Sequence, residues 1–317
     1  MVEYIPTVIS LFAGCGGSSL GYKLAGYKEL LAIDFNKTAL KTFKKNFKDI
    51  PICNKDISQL SAKQILEFCG IRKGCLDVLD GSPPCQGFSI AGKRLVCDGR
   101  NNLVNDYIRL VADIQPRVFV MENVPGMVQG KSKGLFKEYY KSMKAVGYNV
   151  SCRVLDTKWF SVPQARKRLI CIGVRNNINK VPVFPTPTNN IITVREAFKN
   201  IVNKTYIPVS PATQCEMRKV PQGRKASYIR RDKMHFSFFR LHNDKPSPTL
   251  TKIQAGTFHP TKHRNLTIEE LKRLQSFPDN FIFIGSVTSQ VAQIGNSVPP
   301  LFMKKIAETI LSKILNK

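Results

Sequence analysis

Val8-Ile9-Ser10-Leu11-Phe12-Ala13 runs into Gly14-Cys15-Gly16-Gly17-Ser18-Ser19, and a helical stretch follows through Leu20, Leu24 and Ala25 to about Gly26. An apolar run of this length reads as a buried strand, and the glycines that break it let backbone approach a ligand at a helix N-terminus with free N–H donors. A second strand, Glu29-Leu30-Leu31-Ala32-Ile33, ends at Asp34, where an acid can hold ribose hydroxyls. Gly14 and Gly16 give G-x-G, but Ser19 stands at the third glycine position of a dinucleotide loop. The pattern therefore speaks against a pyrophosphate and leaves room for an adenosine without one, which S-adenosylmethionine satisfies.

The same layout recurs further along. A helix is expected from Asn36 to Lys48, with Lys41, Lys44, Lys45 and Lys48 on a solvated face. Asn54-Lys55-Asp56-Ile57 ends a short third strand, and Asp56 is placed to meet an adenine amine. The apolar run Leu76-Asp77-Val78-Leu79-Asp80 stops at Gly81-Ser82-Pro83-Pro84, and Cys85 follows at once. Two prolines stiffen that turn, so Cys85 sits on a defined loop at the edge where open α/β sheets bind ligands. Residues 86–102 form a long polar, glycine-containing loop suited to covering something. After the amphipathic stretch Leu103–Ile114, the strand Val118-Phe119-Val120-Met121 ends at Glu122-Asn123-Val124-Pro125. A carboxylate and a thiol on the tips of strands in one parallel sheet make an acid–nucleophile pair. Further on, a strand (148–155) leads to Gln164-Ala165-Arg166-Lys167-Arg168 and the strand Leu169–Val174. In an extended segment Arg166 and Arg168 project to one side, a clamp for a phosphate or carbonyl oxygen.

From Val181 the texture changes. Pro182, Pro185 and Pro187 make a linker, and no βα rhythm returns until about Thr267. The stretch between is basic, with Arg218, Lys219, Arg224, Lys225, Arg230, Arg231 and Lys233 leading into Phe236, Phe238 and Phe239. Thr267–Ser276 reads as a helix, Gln293–Pro300 as a turn, and a last helix runs to Leu315. The whole chain has 317 residues with 49 Lys+Arg against 22 Asp+Glu, a net charge of +27. Such a field suits a polyanion, nucleic acid first, and binding is expected to weaken steeply with salt. Hydrophobic content of 43% is ordinary, no apolar run approaches the ~20 residues of a membrane span, and the N-terminus lacks signal-peptide design. The nine cysteines lack a C-x-x-C pair, a pattern of reduced thiols. The i, i+4 pair His259 and His263 has no supporting ligands, so no metal is expected. A cytoplasmic monomer without membrane contact is the expectation.

Together these motifs resemble the bacterial DNA (cytosine-5)-methyltransferase family. The resemblance rests on Phe12-Ala13-Gly14-Cys15-Gly16-Gly17, Pro83-Pro84-Cys85-Gln86, Glu122-Asn123-Val124, Gln164-Ala165-Arg166-Lys167-Arg168, Leu274-Gln275-Ser276-Phe277-Pro278 and Gly295-Asn296-Ser297-Val298-Pro299, in the family's order. It implies an α/β, Rossmann-like S-adenosylmethionine-dependent sheet with a small inserted target-recognition domain. The expected division is 1–185 catalytic and cofactor-binding, 186–264 recognition, and 265–317 a return to the catalytic domain. It implies Cys85 as the nucleophile, with Glu122, Arg166 and Arg168 around the base. The cofactor set is Phe12, Gly14, Gly16, Asp34, Phe35, Asp56, Ile57, Pro84, Leu103, Asn296 and Ser297, with Phe35 stacking on adenine. DNA-contact candidates are Gln86, Ser89, Lys93, Arg94, Arg100, Arg224, Lys225, Arg230 and Arg231. Double-stranded DNA is the implied partner, and a cognate restriction endonuclease a functional companion with no stable complex implied. Two positions depart from the family pattern: Ser10 stands where members often carry an acid, which leaves part of the contact to the cofactor's ammonium unassigned. Ala91 stands where some members carry a polar residue that enters the gap left by a flipped base. Two other readings remain: a tRNA cytosine-5 methyltransferase, which would share the Pro-Pro-Cys and Glu-Asn-Val pieces, and a catalytically silent DNA-binding protein on the same scaffold.

Overall fold

The alternation of strands and helices read from the first half of the chain appears as a seven-stranded sheet in the computed structural model, which describes residues 4–84, 102–202, 209–228, 238–252 and 256–316. Cys85 and the loop candidates Gln86, Ser89, Lys93, Arg94 and Arg100 lie outside the described residues, as do Ala91, Arg230 and Arg231. The chain forms two compact units, Met1–Leu155 with Lys167–Thr186 and Met303–Lys317, and Asp156–Arg166 with Pro187–Phe302.

In the first unit, β1 (Thr7–Leu11), α1 (Gly17–Leu24), β2 (Lys28–Ile33), α2 (Lys37–Asn46), β3 (Ile52–Cys53), α3 (Ala62–Cys69), β4 (Val78–Gly81), α4 (Asn102–Ile114), β5 (Val118–Asn123), α5 (Lys133–Ala145) and β6 (Tyr148–Asp156) follow in order. A two-residue strand, β7 (Gln164–Ala165), belongs to the second unit, and β8 (Lys167–Arg175) returns to the sheet. The strand order is β3-β2-β1-β4-β5-β8-β6. β2, β1, β4 and β5 pair in parallel, while β8 runs antiparallel to β5. The direction of winding reverses between β1 and β4, the switch point where such sheets open a crevice at their C-terminal edge. β4 and β5 are buried at every residue, as expected of strands covered on both faces. Ile9, Leu11, Leu79, Phe119 and Met121 lie at the centre of this core. Gly81 lacks a side chain for a packing reason: a Cβ there would stand 2.5 Å from the Tyr107 ring.

Three local expectations are corrected. The third strand ends at Cys53, and Asp56 instead caps a short 3-10 turn, Ile57–Gln59, by accepting from Ser58 N. The Gln293–Pro300 turn begins later, because Gln293 to Asn296 complete a helix. Cys152 on β6 and Cys171 on β8 form a disulfide, where reduced thiols were expected. The two strands are neighbours and bring these Cα atoms to 4.1 Å, a proximity that a sequence separation of 19 does not reveal.

The second unit has little regular structure: α6 (Val194–Ala197), α7 (Pro211–Lys219), β9 (Phe239–Arg240), β10 (Ser247–Pro248), β11 (Thr257–Phe258), α8 (Ile268–Leu274) and α9 (Val287–Asn296), with α10 (Pro300–Ile310) leading back into the first unit. Asp156–Arg166 and 265–302 group here with the expected insertion, because bonds from Gln164 and Arg166 tie them to it. Among the described residues no helix is long and apolar enough to cross a membrane.

Candidate active site and cofactor cradle

The C-terminal edge of the first unit's parallel strands carries most of the residues singled out from sequence. β1 passes into Phe12, held at a positive φ of 56°, and then into the loop Ala13–Gly16. Gly16 caps α1 at φ 96°, and a Cβ there would meet the Phe47 ring at 2.4 Å, so both conformation and space demand glycine. Asp34, off the end of β2, accepts from Gly14 N at 2.8 Å and from Asn36 N at 2.7 Å. Burial nevertheless raises the Asp34 carboxyl above its ordinary range. Asn54 donates to the carbonyls of Asp34 and Phe35 and so fixes the strand end from below. Phe35 is 66% exposed, a large ring presented rather than packed. Asp56 is half-buried and Ile57 buried beside it, while Pro84 and Leu103 are half-buried. An open ring, strand-end acids and a glycine loop with no room for a side chain at Gly16 fit the adenosine of S-adenosylmethionine; Gly14, Asp34, Phe35 and Asp56 are the residues that would hold it.

Glu122 stands near the tip of β5, one residue past the level of Gly81. Arg168, which opens β8 opposite that tip, ion-pairs with it, Nε to Oε1 at 2.8 Å, with both side chains 11% exposed. Burial lowers the Arg168 pKa, and Glu122 works against that shift. Asn123, quoted in the sequence only as a motif member, donates from Nδ2 to Pro83 O at 3.0 Å and accepts from Val124 N through Oδ1. It thereby pins the carbonyl two residues before Cys85 to the strand that carries Glu122. Its signal in sequence is its place beside Glu122.

The two-arginine clamp is not what the bonds of Arg166 and Arg168 make. Arg166, 3% exposed and in the second unit, donates to Leu250 O at 2.9 Å and Gly295 O at 2.8 Å. Gln164 accepts from Leu250 N and donates to Gln275, and Gln275 donates to Ser297 O. Gly295 packs so closely that a Cβ would lie 2.3 Å from Thr251 O. These bonds set the turn holding Asn296, which is exposed, and Ser297, which is half-buried. Arg166 thus spends two of its donors on backbone carbonyls of its own unit, and neither Gln164 nor Gln275 carries a role in the sequence reading. Arg224 and Lys225 are both exposed. His259 stacks on Phe198 and accepts backbone N–H groups of Thr261 and Lys262 through Nδ1.

Comparison with known proteins agrees with this geometry. The C-5 cytosine-specific DNA methylase family matches residues 6–312. Type II methyltransferase M1.HphI of Haemophilus parahaemolyticus is 36% identical over 98% of this chain and 88% of its own length. Type II methyltransferase M.NgoFVII of Neisseria gonorrhoeae is 33% identical over 96% and 86%. A putative DNA modification methyltransferase encoded within an Escherichia coli prophage superposes with a TM-score of 0.84 at 25% identity, covering 98% of this chain and all of that one. Spodoptera frugiperda DNMT2, at 20% identity and a TM-score of 0.71, shares the fold. Strand-tip carboxylate, adenosine cradle and family match converge: the chain belongs to the C-5 cytosine-specific DNA methylases and is an S-adenosylmethionine-dependent DNA (cytosine-5)-methyltransferase.

Proposed function

We propose that this enzyme methylates C5 of a cytosine flipped out of a specific double-stranded DNA sequence, through a covalent bond between Cys85 and C6, and that it serves a type II restriction–modification system. The single observation that carries the reading is the buried Glu122–Arg168 ion pair on the strand tip that Asn123 ties to Pro83, two residues before Cys85 in sequence. Cytosine C5 is too weak a nucleophile to attack a methyl sulfonium unaided. Addition of the Cys85 thiolate to C6 turns C5 into an enamine carbon and pushes negative charge onto N3 and O2. Glu122 hydrogen-bonds or protonates N3 and reads the N4 amine, and Arg168 balances the charge that develops on the base. S-adenosylmethionine, when bound, supplies the electrophilic methyl group. Loss of the C5 proton to a base and elimination of Cys85 then restore the aromatic ring. The target atom is unreachable inside a stacked duplex, which is why the base must leave it.

The restriction–modification assignment follows the names of the relatives, and a partner endonuclease is proposed with it. The basic second unit, including the exposed Arg224 and Lys225, grips the phosphates around the site. A duplex carrying 5-fluorocytosine tests the chemistry, since fluorine at C5 cannot leave as a proton does. A complex stable in detergent, formed by the wild type and absent with Cys85→Ala, is the expected result. Turnover without any trapped complex would overturn the covalent route.

A further inference from the structure

Six side chains left unused by this chemistry are buried together on β1, α1, β2 and β4, the elements that flank the glycine loop: Ser10, Ser18, Ser19, Tyr22, Glu29 and Asp80. Ser10 on β1 and Asp80 on β4 are register partners, and Ser18 and Ser19 lie in the first turn of α1, just past the Gly16 cap. Tyr22 Oη donates to Asp80 Oδ1 at 3.2 Å, and Ser18 also hydrogen-bonds that carboxyl. Ser19 Oγ donates to Glu29 Oε1 at 2.9 Å, and the Ser10 hydroxyl joins it. Glu29 Oε2 is buried and has no hydrogen-bond partner among the described residues. The charged groups acting on Asp80 are Glu29 on β2 and Glu122 on β5, both of its own sign; the phenols facing it are Tyr22 on α1 and Tyr107 on α4.

Two buried carboxyls of like sign hold protons that isolated carboxyls would release, against the hydroxyls that donate to them and favour the charged forms. Burial is the largest cause, and it pushes Glu29 up to about 7 and Asp80 up to about 8. The pair therefore gains negative charge across the neutral range, close to the loop that cradles the cofactor.

We infer that Asp80, backed by Glu29, is a charge-selecting residue of the cofactor cradle, whose carboxylate favours the sulfonium of S-adenosylmethionine over the neutral thioether of S-adenosylhomocysteine. The inference rests on the reading that the cofactor lies over the Gly14–Gly17 loop. The two ligands share adenosine, ammonium and carboxylate and differ in the charge at sulfur, so the ratio of their affinities isolates that charge. Methyl transfer neutralises the sulfur, so the attraction disappears with turnover and fresh cofactor displaces the product.

Calorimetric titration of both ligands into the full-length enzyme from pH 6 to pH 8.5 tests this, with Asp80→Asn and Glu29→Gln beside the wild type. In the wild type the preference for the sulfonium should rise on the order of tenfold as the pair ionises, the effect of one unit charge about 12 Å from the sulfur at an effective dielectric constant of ~20. Asp80→Asn should give a ratio that is flat with pH, while Glu29→Gln, which removes a like charge, should move the rise to lower pH. Titrating the wild type in two buffers of different ionisation heat adds a reading that needs no variant: proton release on binding the sulfonium should exceed that on binding the thioether. Binding of both ligands at a pH-independent ratio overturns charge selection and leaves the cofactor assignment standing. Binding of neither overturns both.

Discussion

The two units hold their functional residues by different means. In the first, Glu122, Asn123, Asp34 and the glycine loop stand at the ends of strands whose C-terminal residues are buried. Hydrophobic packing fixes the strands, and the polar tips inherit that precision. In the second, guanidinium and amide groups grasp backbone carbonyls: Arg166 bonds Leu250 and Gly295, Arg240 bonds Pro260 and Val220, and Arg273 bonds Ala197. Arg264 adds a two-point ion pair to the buried Glu270. A sheet edge tolerates loss of one polar group because apolar area holds it; a region stapled by side-chain-to-backbone bonds does not. Part of the positive charge of this protein is therefore structural.

Four results would break or sharpen that contrast. The largest effect belongs to the strand tip: Glu122→Gln should lower kcat by roughly 10²–10⁴-fold, the usual contribution of a positioned acid or base, read by steady-state kinetics. Because the variant leaves the buried Arg168 without its charge partner, calorimetry should also show a loss of about 3–5 kcal/mol, with the fold retained; an unfolded variant would mean that the tip is not held by its packing. Arg166→Lys comes next. A lysine cannot reproduce two guanidinium bonds, and a buried carbonyl left unpaired costs about 1–3 kcal/mol, so denaturant unfolding should show a loss of that size. A neutral outcome would remove the stapling account. Asp80→Asn probes the buried pair through stability. A carboxyl whose folded pKa is raised stabilises the fold below its unfolded pKa, and that contribution is lost as pH rises through the folded value. For Asp80 the window runs from its ordinary range to about 8, so the wild type should lose Tm relative to the variant between pH 5 and pH 8.5. Parallel curves would contradict the assignment. The smallest effect is expected at the surface, where a double Arg224→Ala, Lys225→Ala variant should reduce the salt slope of DNA binding by about two, at ~0.9 per phosphate contact. An unchanged slope would place DNA contact elsewhere.

The same contrast explains what could be read in advance. Apolar runs ending in glycine, acid or proline announced β1, β2, β4 and β5 and the residues at their tips, because buried parallel strands leave a continuous apolar trace. The two-residue β3 leaves no such trace, so the sequence points to a strand at Asp56 and does not show the cap it forms. Gly295 and the following prolines mimic a turn at Gln293–Asn296, but these residues complete the helix from Val287, and the glycine answers instead to the close approach of Thr251. Arg166 illustrates the deeper limit. Sequence spacing put it on the same face as Arg168, yet its partners lie 84 and 129 residues away in the chain. Asn123 likewise acts on Pro83, 40 residues before it, and only the parallel register of β4 and β5 makes that visible. The Cys152–Cys171 bond depends on the same kind of strand adjacency.

The most direct test of the central claim is transfer of labelled methyl from S-adenosylmethionine to unmethylated genomic DNA and to bulk tRNA, with Cys85→Ala alongside and bisulfite sequencing of the product. The account predicts label on DNA at C5 of cytosine within one sequence context, lost in the variant. Label confined to tRNA, or retained on DNA by Cys85→Ala, would contradict it.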